Sequence, residues 1–262
     1  MTTDPAADST DFGFRTVPVD EKKTLVRGVF DSVARRYDLM NDLMSGGVHR
    51  LWKAALLDWL NPRPGQHLLD VAGGTGDIAF RFLDRTRPRH VLPDDTPPAA
   101  RVTVCDINEN MVSVGRDRAI DRGLLGGVDW VCGDAEALPL QSASVDYYTI
   151  AFGLRNVTHI DRALAEAHRV LRPGGRFLCL EFSKVATRVL ARPYDLYSFE
   201  VLPRLGRWVA GDEEAYRYLA ESIRRFPPQE ELVGMLNAAG FGQVKYRNLT
   251  GGIAALHSGW RL

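Results

Sequence analysis

The sequence predicts an α/β fold, a mostly parallel sheet with helices on both faces. Three observations predict it. Short apolar runs alternate with helical stretches from residue 67 to residue 182. The first run, His67-Leu68-Leu69-Asp70-Val71, opens straight onto Ala72-Gly73-Gly74-Thr75-Gly76 and then a helix. Later runs end on Asp106, on Asp134 and on Phe152-Gly153-Leu154-Arg155-Asn156. Ligands of open parallel sheets bind beyond the carboxyl ends of the strands, so these turns converge on one edge.

Residues 1–19 are polar with Pro5 and Pro18 and are expected to be loose. A helix should start at Asp20, carry Val26, Val29, Phe30, Val33, Tyr37, Met40 and Met44 at spacings of three and four, and stop at Gly46-Gly47. A shorter one follows with Leu51, Trp52, Ala55, Leu56, Trp59 and Leu60, stopped by Asn61-Pro62. Together, residues 20–61 read as a helical lid, because Tyr37 to Asp42 mixes polar and apolar groups on every side. The strand at 67–71 follows, and Asp77 is expected to cap the helix after its turn. Arg85 to Ala100, with four prolines, reads as a loop. Strands are expected at 101–106, 128–132, 147–152 and 176–182. A helix from Asp161 to Leu171 stops at Arg172-Pro173-Gly174-Gly175. Residues 183–226, rich in Arg and aromatics, read as a helical insertion over the ligand edge. A helix at 229–239 and strands at 243–248 and 252–257 close the chain. The count is seven strands. The organisation expected is a flexible 1–19 and a single domain 20–262, with lid 20–61, cofactor-binding core 62–182, insertion 183–226 and closing helix and hairpin 227–262.

Composition excludes several classes. Net charge is zero over 262 residues, so bulk charge gives no argument for nucleic acid. No apolar run approaches the roughly 18 residues of a membrane span. The first residues are acidic and lack Lys and Arg, unlike a secretory or transit leader, and the expected location is the cytoplasm. Cys105, Cys132 and Cys179 lie in strand-like runs without C-x-x-C spacing and read as buried free thiols. No His/Cys/Asp cluster suggests a metal. His90, His159 and His168 read as solvent or packing residues.

Two cofactors use a turn like that of residues 72–76. Gly74-Thr75-Gly76-Asp77-Ile78-Ala79 formally fits the dinucleotide pattern. Asp70 followed by Ala72-Gly73-Gly74-Thr75-Gly76 fits the S-adenosylmethionine turn of class I methyltransferases. Asp106 as a ribose ligand suits both, since a carboxylate accepts from two hydroxyls. Asp134 discriminates. An acidic residue after the third strand accepts from the adenine amino group in the methyltransferases, and the next backbone N–H, that of Ala135, serves a ring nitrogen. The dinucleotide enzymes do not typically need it.

The chain resembles the ubiquinone/menaquinone biosynthesis C-methyltransferases, the UbiE family, over nearly its whole length. The likeness rests on Tyr37-Asp38-Leu39-Met40-Asn41 through Ser45, His49 and Trp52, and on Arg169 to Gly175 through Glu181-Phe182-Ser183. Phe152 to Val157 and Ala255 to Trp260 are similar too. Arg172 stands where the family commonly has Lys, and Ala151 where many members have a Ser near the cofactor. The resemblance implies a Rossmann-like class I fold with S-adenosylmethionine as methyl donor. It implies methyl transfer to a ring carbon of a polyprenylated quinol, and cofactor contacts at Thr75, Asp106, Asp134 and Ala135. The residue reading adds Asp70, Gly73, Gly74 and Gly76.

An aromatic carbon becomes a good nucleophile when a ring hydroxyl loses its proton, so the enzyme must align the ring and polarise or strip that hydroxyl. Arg155 and Asn156 leave the fourth strand where the acceptor should sit, Asn to hold a hydroxyl and Arg as a fixed cation for the phenolate. The proton acceptor is left open among His257, Asp38 and His49. Arg155 and Asn156 rank first as catalytic candidates, then His257, then Tyr37 and Asp38. A bilayer-embedded tail further implies peripheral contact at the inner face of the membrane through Arg188, Arg192, Arg204, Arg207, Arg224 and Arg225 with neighbouring aromatics. Delivery by a quinone-biosynthesis complex or action as a homodimer is the alternative. The rival function is a non-catalytic S-adenosylmethionine-binding assembly component, which loss of the acceptor-side polar residues would favour.

Overall fold

The computed structural model describes residues 9–33, 37–87, 99–187, 194, 196–201, 204 and 213–262. Seven strands form one sheet: β3 (His67–Val71), β4 (Arg101–Asp106), β5 (Val128–Cys132), β6 (Val145–Ala151), β7 (Leu171–Phe182), β8 (Gly242–Leu249) and β9 (Ala254–Trp260). Their spatial order is β5-β4-β3-β6-β7-β9-β8. The first five are parallel, and β9 runs antiparallel to both neighbours. The order reverses between β3 and β6, and there the ends of two adjacent strands diverge into opposite crossovers.

Each strand alternates two cores. Leu68, Val102, Val104, Leu178, Leu180 and Phe182 face one, with α3 (His49–Leu60) and α4 (Asp77–Thr86) packed over them. Leu69, Val71, Cys105, Tyr148, Ile150, Phe177 and Cys179 face the other, under α6 (Ile160–Val170) and α8 (Gln229–Ala238). The period of two places successive residues on opposite faces, which is why these strands read as continuous apolar runs. Helix α5 (Glu109–Asp121) links β4 to β5, and its Asn108 N-cap accepts from the Met111 amide at 3.1 Å.

Three expectations are corrected. Residues 9–18 are a hairpin, β1 (Ser9–Phe12) and β2 (Arg15–Pro18), rather than loose chain. Gly13 turns it at φ 61°, and Phe12 stacks on Tyr218 of α7 (Glu213–Arg225) at 4.2 Å between centroids. Asp77 does not cap α4. The cap position is Gly76 in the left-handed region, and Asp77 in the first turn pairs with Lys53 and Arg81. Cys132 is exposed, whereas Cys105 and Cys179 are buried. In the edge strand β5, Asp129 and Cys132 are exposed and the other three residues are half-buried.

The lid stretch forms α1 (Val19–Val33) and α2 (Tyr37–Ser45), then α3. Residues 34–36 and the side chains of residues 32–40, those of Tyr37 and Asp38 included, lie outside the described residues. So do most of the Pro-rich loop with His90, and Arg188, Arg192, Arg207 and Trp208 of the insertion. Of that insertion, residues 183–187 are irregular, Tyr197–Val201 form a π-turn and α7 follows. Thr250–Gly252 forms a 3-10 turn before β9, so the last strand begins two residues later than expected.

Candidate active site

Beyond the carboxyl ends of β3, β4, β5 and β6 lies an open cleft of about 770 Å³ including its mouth. Asp106, Asp134, Ala135 and Asn156 line it, with Ile107, Met111 and Phe152 as apolar wall. A smaller cleft of about 310 Å³ lies beside the glycine turn, between Asp70, Gly73, Thr75 and Ala151. Ala72 lines both. The two clefts together suit an elongated ligand with an aromatic end and a polar end.

Asp106 ends β4 with each oxygen in use. One accepts from the Gly74 amide and the other from the Asn108 amide, both at 2.9 Å. Lone pairs remain for two further donors. Burial holds its carboxyl up, at about 6, against those hydrogen bonds. Asp70 is more extreme. One oxygen accepts from Thr149 at 2.7 Å, and the other is buried with no partner. Burial raises its carboxyl to about 7. A buried carboxylate oxygen without a donor is costly, and in a cleft it marks a place for a ligand's donor.

The glycine turn is shaped by the protein as much as by any ligand. A Cβ at Gly73 would lie 2.8 Å from Asp70 Oδ2 and from Val104, and one at Gly76, at φ 81°, would lie 2.7 Å from Trp130. Thr75 is buried and accepts from Arg118 at 2.9 Å. At the neighbouring strand end Phe152 is held at φ 60° and Ala72 at φ 49°. Left-handed backbone at non-glycine residues is disfavoured and clusters at functional sites.

Asp134 accepts from the Glu136 amide with one oxygen and from Lys23 of α1 with the other, at 2.6 Å. Lys23, Val26, Arg27 and Phe30 form one face of α1, and that face is a wall of the large cleft. The spacing of 23, 26, 27 and 30 is helical, so this face was findable, but polar and apolar residues share it and the apolar pattern alone masks it.

The candidates for acceptor chemistry separate. Asn156 lines the large cleft, and its amide oxygen accepts from Tyr218 at 3.0 Å. Arg155 turns inward. Its guanidinium donates to Glu181 and to the Phe152 carbonyl, both at 2.6 Å, and is buried. It is not an unpaired cation beside the acceptor, because Glu181 already balances its charge. His257 is in neither cleft. It is buried on β9 against Tyr246, with one ring nitrogen 3.2 Å from the Gln229 carbonyl, and burial lowers its pKa to about 4. The turn to the last strands faces it toward α8 rather than toward the cofactor edge. His49 is likewise buried, bonded to Ser45 at 3.1 Å, with its pKa lowered to about 4 by burial and by Lys53. His168 packs edge-on against Phe241. Among the described residues no group of His, Cys, Asp and Glu is placed to hold a metal ion, and no helix is long and apolar enough to cross a membrane.

This strand order with an acidic residue at the end of β3, β4 and β5 defines a class I S-adenosylmethionine-dependent methyltransferase. Solved structures share the fold. The [4+2]-cyclase SpnF superposes with a TM-score of 0.65 at 18% identity, over 91% of this chain and 96% of that one. A Haemonchus contortus phosphoethanolamine N-methyltransferase solved with S-adenosyl-L-methionine gives 0.58 at 15%, over 80% and 52%. Sequence goes further. The model of the ubiE/COQ5 methyltransferase family matches residues 17–261, and the chain belongs to that family. A UbiE C-methyltransferase of Paracoccus denitrificans is 60% identical over 97% of both chains. The mitochondrial 2-methoxy-6-polyprenyl-1,4-benzoquinol methylase of Danio rerio is 54% identical over 97% of this chain and 85% of its own.

Proposed function

We propose that the protein methylates a ring carbon of a polyprenylated quinol, 2-polyprenyl-6-methoxy-1,4-benzoquinol or demethylmenaquinol, in ubiquinone or menaquinone biosynthesis. The observation that carries it is the meeting of Asp70, Asp106, Asp134 and Asn156 along two joined clefts in a chain this similar to relatives named for that reaction. S-adenosylmethionine, when bound, supplies a methyl group already activated by its sulfonium.

The chain's own residues do the rest. Asp106 holds the ribose hydroxyls on its free lone pairs. Asp134 takes the adenine amino group and the Ala135 amide a ring nitrogen. Gly73, Gly74, Thr75 and Gly76 bring backbone close to the polar end, where Asp70 offers its unpartnered oxygen. On the acceptor side Asn156, its oxygen held by Tyr218, is left with an amide NH2 to donate to the ring oxyanion. Arg155, through Glu181 and the Phe152 carbonyl, holds the turn that presents Asn156. Asp38 at the start of α2 is the group proposed to receive the hydroxyl proton, with Tyr37 as a further catalytic candidate on the same helix.

The isoprenoid tail stays in lipid, so the enzyme meets its substrate at the inner face of the membrane. Arg204 is exposed, and among the described residues it pairs with Glu200 at 3.0 Å, which suits an anionic surface. Delivery within a quinone-biosynthesis complex or by a homodimer is what remains if vesicles do not bind the protein.

The deciding assay uses purified protein, labelled S-adenosylmethionine and each quinone, reduced and oxidised. Label should pass to the reduced form alone. Equal labelling of both forms overturns the phenolate mechanism, and none of either overturns the substrate.

A further inference from the structure

Among the residues lining the smaller cleft is a lysine, Lys53, that no motif singles out. Lys53 sits in the second turn of α3, and only 4% of it is exposed. Its ammonium lies 2.9 Å from Asp77 Oδ2, and the residue lines the cleft together with Gly73 and Thr75 of the glycine turn. Asp77 needs this cation less than a lone carboxylate would, because Arg81 already donates to its other oxygen at 3.0 Å. Asp70 lines the same cleft and has a buried oxygen without a donor. A small cleft lined by one cation and one carboxylate that lacks a donor is matched to a zwitterion.

We propose that Lys53 binds the carboxylate of the amino-acid end of S-adenosylmethionine and that Asp70 takes its ammonium. The assignment rests on the S-adenosylmethionine reading of the two clefts. Without ligand, Asp77 competes for the ammonium of Lys53 as its ion-pair partner. With ligand it shares it, since an ammonium has three donors. Burying a lysine is expensive unless it is paired, and a single partly exposed aspartate on an adjacent helix could have been served by Arg81 alone. The second partner explains why the cation is placed at the cleft wall. Ala151 strengthens the assignment. It lines this cleft without a hydroxyl, so the β6 side offers the ligand no donor there, and the load falls on α3.

The test compares two ligands by calorimetry on the full chain. S-adenosylhomocysteine carries the amino-acid end, and 5′-methylthioadenosine lacks it. Lys53→Met should weaken S-adenosylhomocysteine about 10- to 100-fold, the range of one charge-assisted hydrogen bond, and leave methylthioadenosine within about twofold. Asp77→Asn separates a direct role from a structural one. It should leave S-adenosylhomocysteine affinity unchanged or tighter, because Lys53 is freed. Equal losses for both ligands in Lys53→Met, unchanged S-adenosylhomocysteine affinity, or an Asp77→Asn effect that copies Lys53→Met overturns the proposal. If Lys53→Met does not fold, Lys53→Gln keeps a donor to Asp77 and must show the same selectivity. Wild-type protein that binds neither ligand defeats the cofactor site itself, a distinct outcome.

Discussion

Arg155 and Glu181 form an ion pair of 2.6 Å with both side chains 1% exposed, bridging the turn after β6 to the end of β7. The pair stands at the same sheet edge as the clefts, and the Arg155 guanidinium also lies 5.7 Å from the centre of the Phe182 ring. Burial raises the Glu181 carboxyl while Arg155 pulls it down, and the hydrogen bonds from the Phe182 and Arg155 amides act with Arg155. The pair therefore ties the turn that carries Asn156 to β7.

Removing one partner should cost more than removing both. Glu181→Ala leaves a buried guanidinium uncompensated and is expected to lose about 3–5 kcal/mol in urea denaturation. Arg155→Met with Glu181→Leu should recover most of that stability. Quinol methylation should remain low in the double variant, because the turn presenting Asn156 is no longer fixed. Full activity in the double variant would show that the pair serves stability alone.

Gly115 in α5 offers a sign test. Alanine in place of glycine inside a helix normally stabilises by about 1 kcal/mol. Here a Cβ would lie 2.3 Å from the Trp130 ring, which also packs edge-on against Phe80 and abuts Gly76. Gly115→Ala should therefore destabilise, by about 1–3 kcal/mol. Adding Trp130→Leu should restore part of the loss. A higher melting temperature for Gly115→Ala alone contradicts this packing.

Much of this was legible in the chain itself. The five parallel strands overlap the apolar runs, although β7 begins at Leu171, inside the stretch read as a helix end and stop, and the edge strand β5 is only half-buried. The glycine turn and the aspartates at 106 and 134 were legible too, since function concentrates where strands end. The hairpin at 9–18 was not legible. Its strands have four residues each, and it is held by distant residues, Tyr218 stacked on Phe12 and Glu221 accepting from the Phe14 amide. Arg155 misled for a related reason. Its sequence neighbours say nothing of Glu181, 26 residues on, and the charge that matters comes from the adjacent strand. His257 looked catalytic as a polar residue near a strand end, but β9 runs antiparallel, which buries it under α8.

Lys23 tests the lid. Its pair with Asp134 is half exposed, 42% and 27%, so its contribution to stability is small. Lys23→Ala should lower the unfolding free energy by less than about 1 kcal/mol. It should nonetheless speed hydrogen exchange of the α1 amides, because one of the ties between α1 and the turn after β5 is lost. High salt should produce the same acceleration in the wild type and little in the variant. Exchange that does not change in either case removes the pair from the lid's closure.

Asp70 sets a pH dependence whose sign is fixed. Its folded pKa of about 7 lies above the ordinary 3.8, so the native state keeps a proton that the unfolded chain has released. The stability this gives is present below the ordinary value and is lost as pH rises through about 7. Asp106, at about 6, acts in the same direction, whereas His49 and His257, lowered to about 4, stabilise above 6.5 and lose that as pH falls. The wild-type profile mixes the four, and Asp70→Asn isolates one. Relative to wild type without ligand, the variant should gain stability steadily between pH 4 and pH 8, by a few kcal/mol at most on the scale of about 1.4 kcal/mol per pKa unit. Binding should run the other way. S-adenosylhomocysteine brings an ammonium to the Asp70 oxygen, so wild-type affinity should rise from pH 6 to pH 8 as the carboxyl ionises. Asp70→Asn should bind weakly with little pH dependence over that range. A wild-type affinity that is flat across pH 7, with the stability difference between the two proteins also flat, shows that Asp70 is ionised throughout and does not meet the ligand as a group poised near neutrality.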